Sequence, residues 1–114
     1  MVTISRGDIV QVDLNPIVGT EQAGIRPALI LQIDRANASS PHTIIAPFTS
    51  KLRRSVLPSH VLFPAGTAGL KQDSVLLCEQ VRVIDKRRIL SVWGRLSQTY
   101  LEQVAVAVRT ILGV

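Results

Sequence analysis

Short apolar runs, each closed by proline, glycine or a cluster of small polar residues, confine most of this chain to strands rather than helices. Residues 8–14 place Val10, Val12 and Leu14 on one face and Gln11 and Asp13 on the other, the period of a half-buried strand. Residues 15–27 carry prolines and glycines with no periodicity and read as a long ordered loop, a kind that is more often functional. The continuous apolar run 27–33 predicts a central strand with Pro27 at its first position, where a missing N–H is tolerated. Another strand is expected over 43–47, ended by Pro47 and Thr49-Ser50, and another over 59–63. A longer one over 74–84 has its apolar series Val75, Leu77, Val81 and Val83 broken by Glu79. The last spans 89–96, with Gly94 permitting a bulge. Segments 34–42 and 64–69 read as turns, and 51–58 as a basic loop.

Only near the end does the period change. Leu101, Val104, Ala105, Val108, Ile111 and Leu112 form a helical stripe. Thr99 and Glu102 have capping-box spacing, Ser97 is a competing cap, and Gly113 closes the helix. About six strands and one helix predict a mainly β (α+β) fold, a small antiparallel barrel-like sheet with a C-terminal helix. With no repeat or linker, residues 1–114 read as a single domain.

The 114 residues suffice for a core without disulfides or metals. No apolar run approaches the roughly 20 residues of a membrane span, and the first residues lack the layout of a secretory signal. Cys78 is the sole cysteine, so no intrachain disulfide forms; the expected setting is the reducing cytoplasm, with no membrane. The net charge of +5 is uneven. Residues 1–50 hold three Arg against four acids, and residues 51–114 hold ten Lys and Arg against four acids. The clusters Lys51, Arg53, Arg54 and Lys86, Arg87, Arg88 suit a polyanionic partner such as nucleic acid, or equally a solvated basic face.

Common catalytic constellations are missing. One cysteine and the separated His42 and His60 do not make a zinc site, and no phosphate-binding glycine loop occurs, so neither metal nor cofactor is expected. A paired-histidine nuclease would require His42 and His60 to meet in space; as strand-edge residues both read more simply as surface. What remains are polar insertions where apolar strands end: 19–27, 47–50 and 78–82. Plainer roles are open to each. Glu21 and Arg26 could pin the loop as an ion pair, Thr49 and Ser50 could make a turn, and Glu79 could sit exposed on an edge.

The order of the motifs narrows this choice. Arg6-Gly7-Asp8-Ile9-Val10, Asp13-Leu14-Asn15-Pro16 and Gly19-Thr20-Glu21-Gln22-x-Gly24-x-Arg26-Pro27 closely resemble the opening of MazF/PemK-type toxins. The likeness continues through Pro47-x-Thr49-Ser50, Asp73-Ser74-Val75 and Glu79-Gln80-Val81-Arg82-Val83-Ile84-Asp85-Lys86-x-Arg88, covering nearly the whole chain. It implies an SH3-like, plasmid-maintenance-toxin barrel that forms a homodimer. It also implies a sequence-specific, metal-independent endoribonuclease acting on single-stranded RNA and held inactive by a cognate antitoxin. Gyrase poisons of the same barrel are the rival reading; they lack the Arg-Pro and Pro-x-Thr-Ser pair present here.

Carried residue by residue, the resemblance makes Arg26 and Thr49 the principal catalytic pair. It places Glu21, Gln22, Ser50, Glu79 and Gln80 along the RNA site, with Thr20 where some relatives have histidine and Leu77 where one branch has arginine. Lys51, Arg53, Arg54 and Arg82 are expected to follow the RNA backbone. Such cleavage uses the substrate's own 2′-OH as nucleophile and leaves a 2′,3′-cyclic phosphate and a 5′-OH. Arg26 suits a phosphate clamp, Thr49 an oxyanion donor. A guanidinium rarely gives up its proton, so Glu79 or Glu21 is expected as base, with Glu79's pKa raised by apolar strand neighbours.

Overall fold

The computed structural model describes residues 3–16, 24–51 and 57–114. Seven strands form one antiparallel sheet: β1 (Asp8–Asp13), β2 (Ile25–Ile30), β3 (His42–Thr49), β4 (His60–Phe63), β5 (Ser74–Leu77), β6 (Arg82–Asp85) and β7 (Ile89–Arg95). Helix α1 (Asp34–Ser39) connects β2 to β3, and α2 (Gln98–Leu112) ends the chain. The strand order is β4-β5-β3-β2-β1-β7, with β6 paired to the first half of β3. The predicted β-rich sheet with a terminal helix is the fold observed. No helix among the described residues is long and apolar enough to cross a membrane.

The continuous apolar runs are explained by burial on both faces of the central strands. Ile9, Leu29, Ala46 and Phe48 face one core with Val61, Phe63, Leu76, Cys78 and the Leu101, Val104 and Ala107 stripe of α2. Val10, Val12, Ala28, Ile30 and Ile45 face a second with Ile4, Ile84 and Ile89. Both edge regions of the sheet reach the first core, through Val61 of β4 and Leu96 beyond β7, so the sheet curls around it. Phe48 and Phe63 meet edge to face at 5.7 Å inside it, and Phe63 lies 4.8 Å from Tyr100.

Several boundaries differ from the sequence expectation. The segment 74–84 is two strands, β5 and β6, separated by a 3-10 turn over Cys78–Gln80, so Glu79 lies on a turn and not within a strand. Residues 34–39 close into a short helix. At α2 it is Ser97 that caps, its hydroxyl accepting from Tyr100 N–H, and Ala107 is buried where Ile111 and Leu112 are exposed. The bulge expected at Gly94 is present: Gly94 faces Ile9 and Val92 faces Val10, leaving Trp93 extra. A Cβ on Gly94 would come within 2.5 Å of the Ala68 carbonyl oxygen, so close backbone approach excludes a side chain there.

The prolines also sit deeper than expected. Pro27 is the third residue of β2, and Pro47 lies inside β3, which continues to Thr49. Leu14 N–H donates to Gly24 O at 3.0 Å, and Leu31 N–H donates to Ile44 O at 2.8 Å. Antiparallel alternation then turns the backbone groups of even-numbered β2 residues toward β1 and of odd-numbered ones toward β3. Pro27 therefore removes no bond from the β1 ladder; its missing N–H faces β3, where pairing begins only at Ala28. Pro47 stands where β3 changes partner on its other side, between Ile45, paired with β6, and Phe48, paired with β5.

Candidate active site

Arg26 and Thr49 come together through strand register. The β2–β3 ladder ends at Ala28 and Pro47, and its register continued two residues further brings Arg26 level with Thr49. Directly opposed residues point to the same side of a sheet, which here is the side of the second core. Thr49 is buried, and its Oγ1 accepts from Lys51 N–H at 3.2 Å, closing the turn that ends β3. The hydroxyl proton is not used by that bond. Arg26 is half-buried, and its Nη1 donates to the carbonyl oxygen of Phe48, the residue before Thr49, at 3.3 Å. Burial lowers the Arg26 pKa, but from a value so high that the guanidinium stays charged at neutral pH. A cation and a hydroxyl thus lie on one sheet face where the β2–β3 ladder ends, an arrangement suited to holding a phosphate.

The second part of the site joins β4 to the turn after β5. Ser59 Oγ donates to Glu79 Oε1 at 2.9 Å, and His60 Nε2 lies 3.0 Å from Glu79 Oε2. Leu57 N–H donates to His60 Nδ1 at 3.2 Å, so Nδ1 is an acceptor and Nε2 carries the proton directed at Glu79. Burial alone raises the Glu79 pKa. Hydrogen bonds from its own backbone, His60 and Ser59 outweigh it and bring the net value below the ordinary one. The expected raised pKa is therefore corrected: the carboxylate has left the apolar strand and gained donors. His60, read from sequence as surface, has a side chain only 5% exposed. His42 is exposed and faces Asp85 on β6 while His60 faces Leu77 on β5, so the two histidines do not form a pair.

The other expected residues are distributed around this end. Ser50 and Lys51 are exposed just past Thr49, and Gln80 is half-buried on the 3-10 turn. Arg82 is half-buried opposite Ile45, on the same sheet side as Arg26 and Thr49. Ile45 and Thr49 are four positions apart, about 13 Å at strand rise, so Arg82 lies well along the strand from Arg26. Thr20, Glu21, Gln22, Arg53 and Arg54 lie outside the described residues. The second basic cluster is engaged within the fold. Lys86 Nζ donates to Asn37 O, Arg87 pairs with Asp85 at 3.0 Å, and Arg88 Nη1 donates to the carbonyls of Asp13 and Asn15. Among the described residues, no three His, Cys, Asp or Glu side chains group so as to hold a metal ion. Sequence reasoning missed Ser59 and read His60 as surface; no local signal in the sequence links either residue to Glu79.

Residues 5–112 match the model of PemK-like, MazF-like toxins of type II toxin–antitoxin systems. The chain is 39% identical over 109 residues to the endoribonuclease EndoA of Bacillus subtilis, covering 96% of this chain and 94% of that one. It superposes on MazF of Deinococcus radiodurans with a TM-score of 0.84 and 28% identity, over 100% of both chains. A MazE–MazF complex from the same organism matches with a TM-score of 0.76 and 28% identity, over 99% of this chain and 98% of the matched one.

Proposed function

This chain belongs to the PemK-like, MazF-like toxin family, and from that premise we propose that it is an endoribonuclease cutting single-stranded mRNA at particular sequences, arresting translation and growth. The observation that carries the reading is the hydrogen bond from the Arg26 guanidinium to the carbonyl of Phe48, the residue before Thr49. Attack by a ribose 2′-OH on the neighbouring phosphate places extra negative charge on its oxygens. Arg26 neutralises that charge, and the Thr49 hydroxyl donates to the same oxygens. The products are a 2′,3′-cyclic phosphate and a 5′-OH, and the residues assigned to these steps require no metal.

The base is one of two carboxylates, Glu79 or Glu21. The lowered pKa of Glu79 keeps it ionised through the neutral range but makes it a weaker base than a raised carboxylate. Ser50, Lys51, Arg53, Arg54 and Arg82 are assigned to the RNA backbone, and Thr20, Gln22 and Gln80 to contacts with the RNA near the scissile bond. Base reading should rest on hydrogen bonds, since Phe48 and Phe63 belong to the core. The relative solved with MazE supports an antitoxin as partner here. Exposed Leu62, Val106, Ile111 and Leu112 on β4 and α2 are compatible with a homodimer interface. The proposed place of action is the cytoplasm, where mRNA is translated.

The test is incubation of the purified protein with a long defined RNA in the presence of EDTA, with mapping of every new end. Fragments ending in cyclic phosphate at recurrent sequences, and none from Arg26→Ala, are the expected result. Intact RNA, with DNA gyrase arrested on DNA by the same protein, would make it a binding poison instead.

A further inference from the structure

The Arg26-Pro27 dipeptide does more than end a loop. Ala28 faces Pro47, so one step along the register Pro27 faces Phe48. The alternation fixed by Leu31 N–H and Ile44 O makes this a position where the two residues would exchange ladder hydrogen bonds. Residue 27 would donate to Phe48 O, but proline has no N–H. Phe48 is 0% exposed, so water does not replace the missing donor. The Arg26 guanidinium does, through Nη1 at 3.3 Å.

We propose that Pro27 is a positioning residue for the active-site arginine: by withholding the ladder donor opposite Phe48, it leaves a buried carbonyl that anchors the Arg26 guanidinium beside Thr49. An amide at position 27 would compete for that carbonyl. The guanidinium would lose its hydrogen bond to Phe48, while the strands themselves would gain a bond. The proposal rests on Arg26 acting on the phosphate, as argued above. It separates from a purely structural role for Pro27 because catalysis and stability should move in opposite directions or independently.

The experiment compares wild type, Arg26→Ala, Pro27→Ala and a semisynthetic ester analogue with lactate at position 27, which like proline has no N–H. RNA cleavage by wild type and its loss in Arg26→Ala test the functional reading first. Given that, Pro27→Ala should fold with an unchanged or higher melting temperature and show kcat lowered about tenfold, with KM within about twofold. Its new amide at residue 27 should be protected from hydrogen exchange. The lactate analogue should keep kcat near wild type. Wild-type kcat in Pro27→Ala, or an equal loss in the lactate analogue, would overturn the proposal. If Pro27→Ala does not fold, the lactate analogue decides alone: retained kcat supports the proposal, and a tenfold loss overturns it.

Discussion

The two ends of β3 solve the same problem in different ways. At its start, Thr43 through Ile45 pair with β6 on one side, and Asn37 satisfies the neighbouring polar groups. The Asn37 Oδ1 accepts from Thr43 Oγ1 at 2.8 Å and from Gln32 Nε2 at 2.9 Å, and its Nδ2 donates to Gln32 O at 2.9 Å. At the other end prolines interrupt the ladders, and side chains take over: Arg26 at the Phe48 carbonyl and Thr49 at the Lys51 amide. At the first end the polar side chains Asn37, Thr43 and Gln32 satisfy one another. The second brings a cation and a hydroxyl together where the β2–β3 ladder ends. A site can therefore be made by interrupting a ladder and letting a functional side chain supply the missing bond, so that the residue's structural contact also sets its aim.

The largest effect expected from this contrast is on Arg26→Lys. Lysine keeps the charge but cannot hold the Phe48 carbonyl and two phosphate oxygens with one planar fork. Single-turnover cleavage should fall by about 10²–10³-fold, the scale for loss of one preorganised oxyanion donor. Near-normal cleavage would show that charge alone suffices and that the anchoring at this end of β3 is incidental. Asn37→Ala addresses the opposite end. It leaves the buried Thr43 hydroxyl without its acceptor and should cost about 1–3 kcal/mol in denaturant unfolding. Its kcat, measured where the variant is folded, should match wild type. A large kcat loss there would mean that the two ends are coupled and not alternatives.

How much of this was legible depended on distance along the chain. Period 2 in β1 and the terminal helix are local signals and both appear where the residues predict them, although only Leu101 and Val104 of the predicted stripe are buried, with Ala107 in place of its last turn. The roles of the prolines were not legible, because the cost of a missing N–H depends on which neighbour that N–H would face, and that is set by register. Pro27 and Pro47 could be placed only at strand ends from sequence, yet both sit inside strands at gaps in pairing. Glu79 failed for a related reason. Apolar alternation through Val75, Leu77, Val81 and Val83 concealed a 3-10 turn, and the donors that reverse its pKa shift, Ser59 and His60, lie about twenty positions away. The Arg26–Thr49 pair was legible as two motifs, but the hydrogen bond that holds Arg26 to the residue before Thr49 was not.

Glu79 provides a smaller, pH-dependent test. Its folded pKa lies below the ordinary value of 4.5, so its contribution to stability is complete above about pH 4.5 and fades as pH falls through the lower folded value. The stability difference between wild type and Glu79→Gln should accordingly be constant near neutrality and shrink below pH 4.5. If Glu79 is also the base, the acid limb of kcat lies below that pH and disappears in Glu79→Gln. A limb near pH 6 or 7 would move the base to another group and leave Glu79 as an organiser of His60.

The smallest expected effect is on Lys51→Ala. Lys51 is exposed immediately after the Thr49 turn, where its backbone amide anchors the hydroxyl while its side chain remains in solvent. Alanine keeps that amide, so Thr49 should hold its position and kcat should be unchanged. Only the charge is lost. RNA binding should weaken by a few-fold at low salt, about equally for all sequences, and the slope of log affinity against log salt should fall by about one contact's worth. A sequence-dependent loss would instead give Lys51 a part in base reading, and an unchanged slope would remove it from the RNA path. Either result would show how far the site extends beyond the interrupted end of β3: whether the phosphate path continues along the loop after Thr49, or is confined to the sheet face that carries Arg26 and Arg82.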